Sequence, residues 1–362
     1  MLYGRRFAVL APLALAVVVA ACGRKQPGGP PAPEKLDEWT TRFVLEFGRQ
    51  PDSTPTRWRG LIGEYGTDTA SFWYVIERDK RLWVMDEHKN YVPLTERSDS
   101  VFAAPIAPVS VQGEVRFRTS DVGARTLHVG QLVRTRNVIG PLAGEPQLKV
   151  TPVRPLDEIR RDALTAVPPA ESGSFKPTDL VDVTTLDSTI RLDIRYASEN
   201  NFLGAKMYDD ARAFMQRDAA KALVRASKHA KRVGYGLMIH DAYRPWSVTK
   251  IFWDATPEDK RWMVANPAQG SRHNRGIAVD ITLYDLETKK TVEMPSTYDE
   301  STYRASSTYP GGASLERYHR SLLKRLLEHE GFAVNPTEWW HFDYVNRKDR
   351  YAIGNIAFDK IH

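Results

Sequence analysis

The sequence predicts an α+β protein with two units, a small antiparallel β unit followed by a larger unit of mixed helices and strands. Three observations lead to this fold class. The chain has 362 residues, more than one compact core normally organises. Short segments rich in aromatic and β-branched residues fill its first part. In its second part, stretches with a helical period are interspersed with short stretches in which apolar and polar residues alternate.

Composition and charge place the chain among ordinary globular proteins. Apolar residues make up 42% and charged residues 27% of the sequence. The formal net charge is +6, and the basic residues are spread along the chain rather than gathered in one run. This distribution argues against a nucleic-acid partner. It is compatible with a location near the anionic polymers of a cell envelope.

The N-terminal residues predict a targeting segment. Two arginines precede an apolar run at residues 7–21, which is shorter than the roughly 20 residues of a membrane span and fits a signal-peptide core. The run ends in VAAC, which resembles the lipobox of bacterial lipoproteins. In that family a lipid is attached to the cysteine thiol and the chain is cut before it. We therefore expect residues 1–21 to be a lipoprotein signal peptide and Cys22 to carry the lipid. A plain secretory signal is the alternative.

This targeting segment also predicts a location. Cys22 is the only cysteine, so a disulfide within the chain is excluded. Gly23, rather than aspartate, follows it, which favours the outer membrane if the host has one. We expect a protein anchored in the cell envelope on the periplasmic side. Residues 22–36 are rich in proline and glycine and predict a flexible tether.

Residues 37–140 predict the small antiparallel β unit. Charged and turn residues separate its candidate strands, which lie at residues 71–76, 81–85, 115–118 and 127–129. Since no cluster of titratable residues stands out here, we interpret the unit as an accessory or binding module. An apolar ligand pocket inside it is the alternative.

Residues 141–176 predict a linker, because proline, glycine and charged residues return there, with a short helix at 156–164. The second unit, 177–362, mixes short strands with helices. Strands are predicted at 189–196, 237–240, 277–283 and 342–345. Helices are predicted at 210–233, from Thr256 onward, and at 315–329 with Gly331 as the terminal glycine.

Two fragments of this second unit carry candidate metal ligands, GSRHNRGIAVD at 270–280 and EWWH at 338–341. Because the only cysteine lies at the N-terminus, the ligands must be His, Asp or Glu. The turn at Gly276 can bring His273 back toward Asp280 on the following strand. His341 is the third candidate ligand. Each spacing taken alone is common by chance, and a structural histidine is the usual alternative.

Glu338 precedes His341 by three residues, and a glutamate near a ligand histidine recurs in metallopeptidases. In a regular strand these two side chains would point to opposite faces. They can face one ion only if the backbone bends between them. We therefore predict a bulge or tight turn at Trp339 and Trp340, with both tryptophans acting as packing residues.

The two fragments together resemble a known family. SxHxxGxAxD followed downstream by ExWH is the signature of the zinc D,D-peptidases. That group includes the D-alanyl-D-alanine dipeptidases, the D,D- and L,D-carboxypeptidases and, by fold, the Hedgehog signalling domain. The stretches LDIRYASENNFLGAKMY at 192–208 and DAYRPWSV at 241–248 are similar to the dipeptidase branch in order and spacing. The resemblance covers about residues 179–350.

The resemblance implies a role for each matching position. His273, Asp280 and His341 would bind one zinc ion. Glu338 would act as general base and acid for a zinc-bound water, and Arg244 would stabilise the oxyanion. A surface salt bridge is the alternative for Arg244.

The resemblance also implies two weaker assignments. Ser271 and Tyr243 would contact the substrate, and a purely structural turn role is the alternative for Ser271. One segment departs from the family. Where the dipeptidases tend to carry Met-Gly-(small)-x-Phe-Asp, this chain reads MPSTYD at 294–299. Tyrosine replaces phenylalanine conservatively, but the lost glycine leaves selectivity for a dipeptide over a longer peptide open.

The sequence therefore predicts a lipid-anchored zinc dipeptidase that hydrolyses D-Ala-D-Ala. A D,D- or L,D-carboxypeptidase that trims peptidoglycan stem peptides is the first alternative. A non-catalytic, zinc-stabilised binding protein of the envelope is the second.

Overall fold

A computed structural model describes residues 42, 47, 50–105, 111–121, 123–139, 149–345 and 350–361. The predicted signal peptide, the tether and Cys22 lie outside these residues, so their assignments stay predictions. Among the described residues, no helix combines the length and apolarity needed to cross a membrane. The buried apolar side chains form two clusters, one in each predicted unit.

The first unit is the predicted antiparallel β unit. A four-stranded sheet has the order β1-β2-β3-β4, and a five-stranded sheet has the order β5-β6-β7-β8-β9. Its elements are α1 (Thr56–Arg59), β1 (Gly63–Tyr65), β2 (Trp73–Arg78), β3 (Arg81–Met85), β4 (Tyr91–Pro93), β5 (Thr95–Ser98), β6 (Val101–Ala104), β7 (Gly113–Thr119), β8 (Arg125–Val129) and β9 (Leu132–Thr135). Asp79 and Lys80, both with positive φ, form the two-residue turn between β2 and β3.

The second unit is built on a five-stranded sheet of order β11-β13-β14-β16-β15, in which only the β11–β13 pair is parallel. A two-stranded sheet, β10-β12, lies beside it. The elements are α2 (Leu156–Thr165), β10 (Leu180–Asp182), α3 (Val183–Leu186), β11 (Arg191–Leu192), β12 (Phe214–Gln216), α4 (Arg217–Arg232), β13 (Tyr235–Asp241), α5 (Trp246–Ala255), β14 (Ala278–Asp285), α6 (Ser314–His329), β15 (Phe332–Asn335) and β16 (Glu338–Tyr344). Short 3₁₀ turns lie at Thr69–Ser71, Arg195–Ala197, Glu258–Met263, His273–Arg275, Tyr303–Ala305 and Phe358–Lys360. The predicted α+β class is confirmed.

The central strand β14 decides where polar side chains can collect. Val279, Ile281 and Leu283 belong to the large apolar cluster together with leucines of α6. Asp280 and Thr282 alternate with them and therefore point to the opposite face. Both of these polar side chains are also buried. The second face of the sheet is therefore also shielded from solvent, and the Asp280 carboxylate is buried there.

The predicted linker at 141–176 is corrected in its second half. Val150, Ile159 and Ala163 are buried within the apolar cluster of the second unit. The predicted helix at 156–164 is present as α2, and it packs against α5. These residues are part of the second unit because their apolar side chains complete its core.

Two helix predictions are also corrected. The predicted helix at 210–233 begins only at Arg217, because Phe214 and Met215 pair with β10 as a strand. Pairing between strands here outweighs a local helical period. Thr256, predicted as an N-cap, instead closes α5, and its hydroxyl donates to the carbonyl of Phe252 at 2.6 Å. The helix after it is a 3₁₀ turn.

The β unit contacts the first turn of α6. The Glu77 carboxylate accepts the backbone N–H of Ser314 at 2.9 Å, and the Ser314 hydroxyl donates to the Glu77 carbonyl at 2.9 Å. A negative charge at a helix N-terminus is stabilised by the unpaired N–H groups there. Tyr74 also packs its ring against that of Tyr309, with 6.1 Å between ring centres. The two units therefore share a specific interface.

Candidate metal centre

The three predicted ligands converge on one point. His273 Nε2 lies 3.2 Å from His341 Nδ1 and 3.4 Å from Asp280 Oδ1, and the latter two atoms are 3.0 Å apart. Zinc ligands at about 2.0–2.1 Å from the ion in tetrahedral geometry lie about 3.3–3.4 Å from one another. The triangle of donor atoms therefore has the dimensions that a zinc ion requires.

Strand pairing and a tight turn position these ligands. Asp280 on β14 is the direct cross-strand partner of His341 on β16. His273 lies in the 3₁₀ turn before β14, and this turn ends at Gly276 in the left-handed conformation, with φ of 69°. Glycine adopts that conformation without a steric penalty. The chain can thus return so that the histidine faces the strand that follows it.

Replacing Gly276 with alanine is expected to destabilise the protein by about 2–4 kcal/mol. About 1–2 kcal/mol comes from the left-handed conformation, and the rest from overpacking. The new Cβ would lie 2.6 Å from Leu180 Cδ2. Gly331→Ala is the matched control, because Gly331 also has a positive φ but its Cβ would meet only Tyr344 at 3.6 Å. Urea unfolding of both variants measures the difference, and equal losses would contradict this account.

Each ligand is oriented by a second hydrogen bond. His273 Nδ1 donates to the carbonyl of Ala242 at 2.6 Å, so Nε2 keeps the lone pair. His341 Nε2 donates to Asp343 Oδ1 at 3.1 Å. Asp280 Oδ2 accepts the Tyr298 hydroxyl at 3.0 Å. The remaining donor atom of each ligand therefore points to the shared position.

Tyr298 corrects one interpretation of the sequence. The replacement of phenylalanine by tyrosine in MPSTYD was considered conservative, yet the added hydroxyl is the group that bonds to Asp280. The tyrosine ring also packs 5.5 Å from that of Trp340. Because phenylalanine has no hydroxyl, it could not make this bond.

The electrostatics of the centre favour a cation. Burial would raise the pKa of Asp280, but the adjacent His273 and His341 outweigh it and hold that pKa well below its usual range. Burial likewise opposes protonation of His341, but the hydrogen bonds to Asp280 and Asp343 raise its pKa to about 10. The ionised Asp280 shares a proton with His341 at the point where the donor atoms converge. A metal ion can replace that proton.

The predicted bulge at the tryptophans is confirmed. Val334 of β15 pairs with Phe342 of β16, and the next residue of β15, Asn335, pairs with Glu338. Residues 339–341 therefore have no partner on β15 and form a bulge on that side of β16. As a result Glu338 Oε2 lies 3.9 Å from His341 Nδ1, on the same side of the strand.

Both tryptophans pack inside the protein, as predicted. Trp339 and Trp340 are buried, and their rings meet nearly at right angles. Trp339 Nε1 donates to the Ser296 hydroxyl at 2.8 Å, which ties the bulge to the loop after β14. The two side chains thus hold the backbone in the bend that places Glu338.

Glu338 sits at the edge of the centre, with its side chain 37% exposed. Asn335 Nδ2 donates to its Oε2 at 2.8 Å. Burial raises the pKa of Glu338, the nearby His341 counteracts this, and the Asp280 charge adds to the increase. A carboxyl with a raised pKa can both accept and release a proton near neutral pH.

Arg244 is buried, so the surface salt bridge considered from the sequence is wrong. Its Nε and Nη2 both donate to Asp241 Oδ2, at 2.9 Å and 2.6 Å. The guanidinium carbon lies 5.1 Å from the ring centre of Tyr196 and 4.9 Å from that of Phe252. Burial acts to lower the pKa of Arg244, but the Asp241 carboxylate outweighs it and the pKa stays above its ordinary value. The backbone N–H of Arg244 donates to the His273 carbonyl at 3.2 Å, which places it beside the centre.

The two predicted substrate contacts have different outcomes. The Ser271 hydroxyl accepts the backbone N–H of Asn274 at 3.3 Å, which favours the structural turn role. Tyr243 is only 1% exposed, and its hydroxyl accepts the backbone N–H of Ile356 at 2.7 Å. Its burial raises its pKa to about 12. The substrate-contact prediction for Tyr243 is therefore corrected to a packing role beneath the C-terminal segment.

Sequence reasoning missed a half-buried carboxyl group close to the centre, that of Asp299. Asp299 Oδ2 accepts the Tyr196 hydroxyl at 3.2 Å. Burial, reinforced by the charges of Asp280 and Glu338, raises the pKa of Asp299 to about 8. Its only signal in the sequence was its place as the last residue of MPSTYD.

A second cluster with metal-ligand chemistry lies where α4 meets the end of α6. His229 Nε2 and His329 Nδ1 lie 3.2 Å and 2.9 Å from Glu330 Oε1. Arg225 Nε, however, donates to the other oxygen of Glu330 at 2.5 Å. A guanidinium beside the carboxylate competes with a cation, so we interpret this cluster as an ion-pair network that ties the two helices together.

Comparisons with known proteins agree with this geometry. The chain is 32% identical over 166 residues to the D-alanyl-D-alanine dipeptidase of Escherichia coli, covering 46% of this chain and 84% of the relative. It is 34% identical over 186 residues to the enzyme of the same name from Enterococcus faecalis, covering 46% and 92%.

One solved structure is also similar, "Structure of the LdcB LD-carboxypeptidase reveals the molecular basis of peptidoglycan recognition". It has 21% identity and a TM-score of 0.31, and covers 49% of this chain and 72% of that one. Residues 176–359 match the sequence model of Peptidase_M15, described as D-ala-D-ala dipeptidase. This match spans half of the chain and contains every residue of the centre, so the protein belongs to the M15 family of peptidases.

Proposed function

We propose that this protein is a zinc peptidase that hydrolyses the dipeptide D-alanyl-D-alanine. The observation that carries the proposal is the bulge in β16. It places the Glu338 carboxyl 3.9 Å from His341 Nδ1, close to the three converging ligand atoms but not among them. The dipeptidase relatives support the choice of substrate.

His273 Nε2, Asp280 Oδ1 and His341 Nδ1 would hold the zinc ion. Three protein ligands are typical of a catalytic zinc site, which keeps one position open. When bound, zinc polarises the scissile carbonyl and lowers the pKa of water toward neutrality. The donor set fits because one nitrogen of each histidine is committed to an acceptor outside the centre, the other faces the shared position, and the carboxylate is ionised. Metal binding would displace the proton that His341 Nδ1 shares with Asp280.

Glu338 is the proton carrier in this proposal. Its carboxylate takes a proton from the attacking water and gives that proton to the amine that leaves. The raised pKa of Glu338 suits both transfers, because the group is neither too weak a base nor too weak an acid near neutral pH. Its hydrogen bond to Asn335 keeps the carboxylate oriented.

Arg244 stabilises the negative charge that develops on the carbonyl oxygen. A guanidinium remains charged even when buried, and it donates in a fixed plane. Asp241 holds that plane through Nε and Nη2, which leaves Nη1 outside this pair of bonds. Because the orientation is set before substrate binds, little reorganisation is needed during the reaction.

Asp299 favours a substrate whose amino group is close to the scissile bond. Its half-buried carboxyl lies within electrostatic range of Asp280, Glu338 and Arg244. An arriving ammonium group would favour the ionised form of a carboxyl whose pKa is about 8. A dipeptide places its free ammonium next to the bond that is cut, whereas a stem peptide does not. This supports the dipeptide over the carboxypeptidase alternative.

One assay separates the alternatives. The purified chain is tested for bound zinc and for D-alanine release from D-Ala-D-Ala and from a stem pentapeptide. We expect stoichiometric zinc and cleavage of the dipeptide. Cleavage of the pentapeptide alone would establish the carboxypeptidase instead. Zinc without cleavage of either peptide would favour the non-catalytic binding protein, for which the placement of Glu338 and Arg244 offers no reason.

A further inference from the structure

A cavity of about 610 Å³ lies between the β unit and the peptidase unit. Glu64 and Arg136 line it from the β unit, and Thr282, Arg304 and Trp339 line it from the peptidase unit. Of the described residues that form its walls, none is a metal ligand or one of the two proposed catalytic residues. Its volume is in the range of about 300–1,000 Å³ that is typical of small-molecule sites.

Several residues that line this cavity carry buried polar atoms without a partner. Glu64 is 3% exposed, and among the described residues its Oε1 finds no hydrogen-bond donor. Arg136 Nε and Arg304 Nη1 are in the same state, as are the hydroxyls of Thr54 and Thr282. A buried polar atom without a partner is destabilising, and proteins rarely leave several together without a reason. A polar ligand in the cavity would give these atoms hydrogen-bond partners.

The other acidic groups of the cavity are already committed to the protein. Glu300 accepts the backbone N–H of Thr297 at 3.1 Å and the Thr302 hydroxyl at 2.6 Å. Glu316 accepts the backbone N–H of Ala313 at 2.9 Å. Arg304 already donates Nε and Nη2 to the Pro295 carbonyl and lies 3.8 Å from Glu300. The unpaired atoms are therefore one acceptor, Glu64 Oε1, and two donors, Arg136 Nε and Arg304 Nη1.

The backbone makes room for one of these arginines. Gly63 has a φ of 148°, and a Cβ built on it would lie only 2.7 Å from Arg136 Nε. The absence of a side chain at residue 63 therefore lets the guanidinium lie against the main chain of β1. Arg136 Nη2 donates to the Ile62 carbonyl at 2.6 Å, which fixes the guanidinium in the wall.

We propose that this cavity is a second binding site, which takes an amino acid or short peptide that carries both a free ammonium group and a free carboxylate. The ammonium pairs with Glu64, and the carboxylate pairs with Arg136 and Arg304. Burial raises the pKa of Glu64, and the nearby charges of Arg304 and Arg136 counteract this only in part. A ligand ammonium that donates to the unpaired Oε1 would stabilise the ionised form further. The proposal goes beyond the peptidase activity and does not depend on it.

The site shares one wall with the metal centre. Tyr298, whose hydroxyl bonds to Asp280, also lines the cavity. Because the two sites lie this close together, an occupant of one can affect the other, and binding must be counted rather than inferred from activity.

The test counts bound molecules in the zinc-loaded full chain carrying Glu338→Ala, which is expected to hydrolyse the probe about 10²–10⁴-fold more slowly than the wild type, and the probe is checked for hydrolysis after dialysis. Equilibrium dialysis with radiolabelled D-Ala-D-Ala is expected to give two molecules per chain. Adding Glu64→Gln should weaken one of the two sites at least tenfold. Glu114→Gln, which removes the same charge from an exposed position of β7, should weaken neither. Arg304→Lys provides a second variant should Glu64→Gln fold poorly.

Analogues identify the two charges. N-acetyl-D-alanine lacks the ammonium group and D-alaninamide lacks the carboxylate, so neither should compete at the second site, whereas D-alanine should. A count that neither Glu64→Gln nor Arg304→Lys lowers, whether one or two molecules per chain, would overturn the proposal and leave a water-filled cavity. A single molecule that both substitutions weaken is the occupant of this cavity, with the peptidase site left empty. Failure of the wild type to cleave any peptide would refute the proposed function but not this count.

Discussion

Replacing Glu338 with alanine is expected to lower kcat for D-Ala-D-Ala by about 10²–10⁴-fold, the usual contribution of a general base and acid. The metal should remain, because Glu338 Oε2 stands 3.9 Å from His341 Nδ1 and is outside the triangle of donor atoms. Metal analysis and steady-state kinetics on the same preparation measure both effects. Glu328→Ala, on the exposed side of α6, is the control and should keep full activity.

The pH dependence of the wild type gives a second measurement of the same role. A general base must be deprotonated, so kcat/KM should fall as pH decreases through the pKa of Glu338, which burial raises above the ordinary value for glutamate. The residual kcat/KM of Glu338→Ala should not show this fall at low pH. Full activity in that variant, or loss of zinc from it, would refute the assigned role.

Replacing Asp280 with asparagine is expected to abolish measurable peptidase activity and to weaken zinc binding by more than about 100-fold. Loss of a group that only orients a ligand already costs about 10–100-fold in affinity, and Asp280 is itself a ligand in the proposal. The substitution keeps the shape of the side chain but removes the negative charge between two histidines. Zinc titration monitored with a competing chelator measures the affinity.

Thermal stability provides a readout of the same change that is independent of activity. A ligand that binds only the folded state stabilises it by about 4 kcal/mol at a thousandfold excess over Kd. Added zinc should therefore raise the Tm of the metal-free wild type, but hardly that of Asp280→Asn. Asp359→Asn, at an exposed position near the C-terminus, removes the same charge and should respond like the wild type. An equal response of all three proteins would place the metal elsewhere.

The candidate ligands were predicted because two short motifs, each common by chance alone, together resemble a known family. His273 and Asp280 flank a glycine that turns the chain, and His341 follows a glutamate by three residues. The bulge between Glu338 and His341 was also predictable, because alternation along a strand forbids those two side chains from sharing a face. In each case the constraint is local, so a single stretch of sequence carries it.

Contacts that join distant parts of the chain were not predictable in this way. Phe214 and Met215 have a helical period, but their pairing with β10 makes them a strand. Tyr298 looked like a conservative replacement until its hydroxyl was found on Asp280. Tyr243 looked like a substrate contact until the C-terminal segment was found to cover it.

The sequence by itself determined the α+β class and the family, and it predicted the three candidate ligands and the glutamate beside them. It also carries the prediction of a lipid anchor at Cys22, which rests on residues outside the described part of the chain. Only the tertiary structure decided how Arg244 is fixed by Asp241, that the half-buried Asp299 lies near the centre, and that a polar cavity lies between the two units. The physical reason is that residue type and spacing specify local chemistry, whereas burial and pairing arise when segments far apart in sequence pack together.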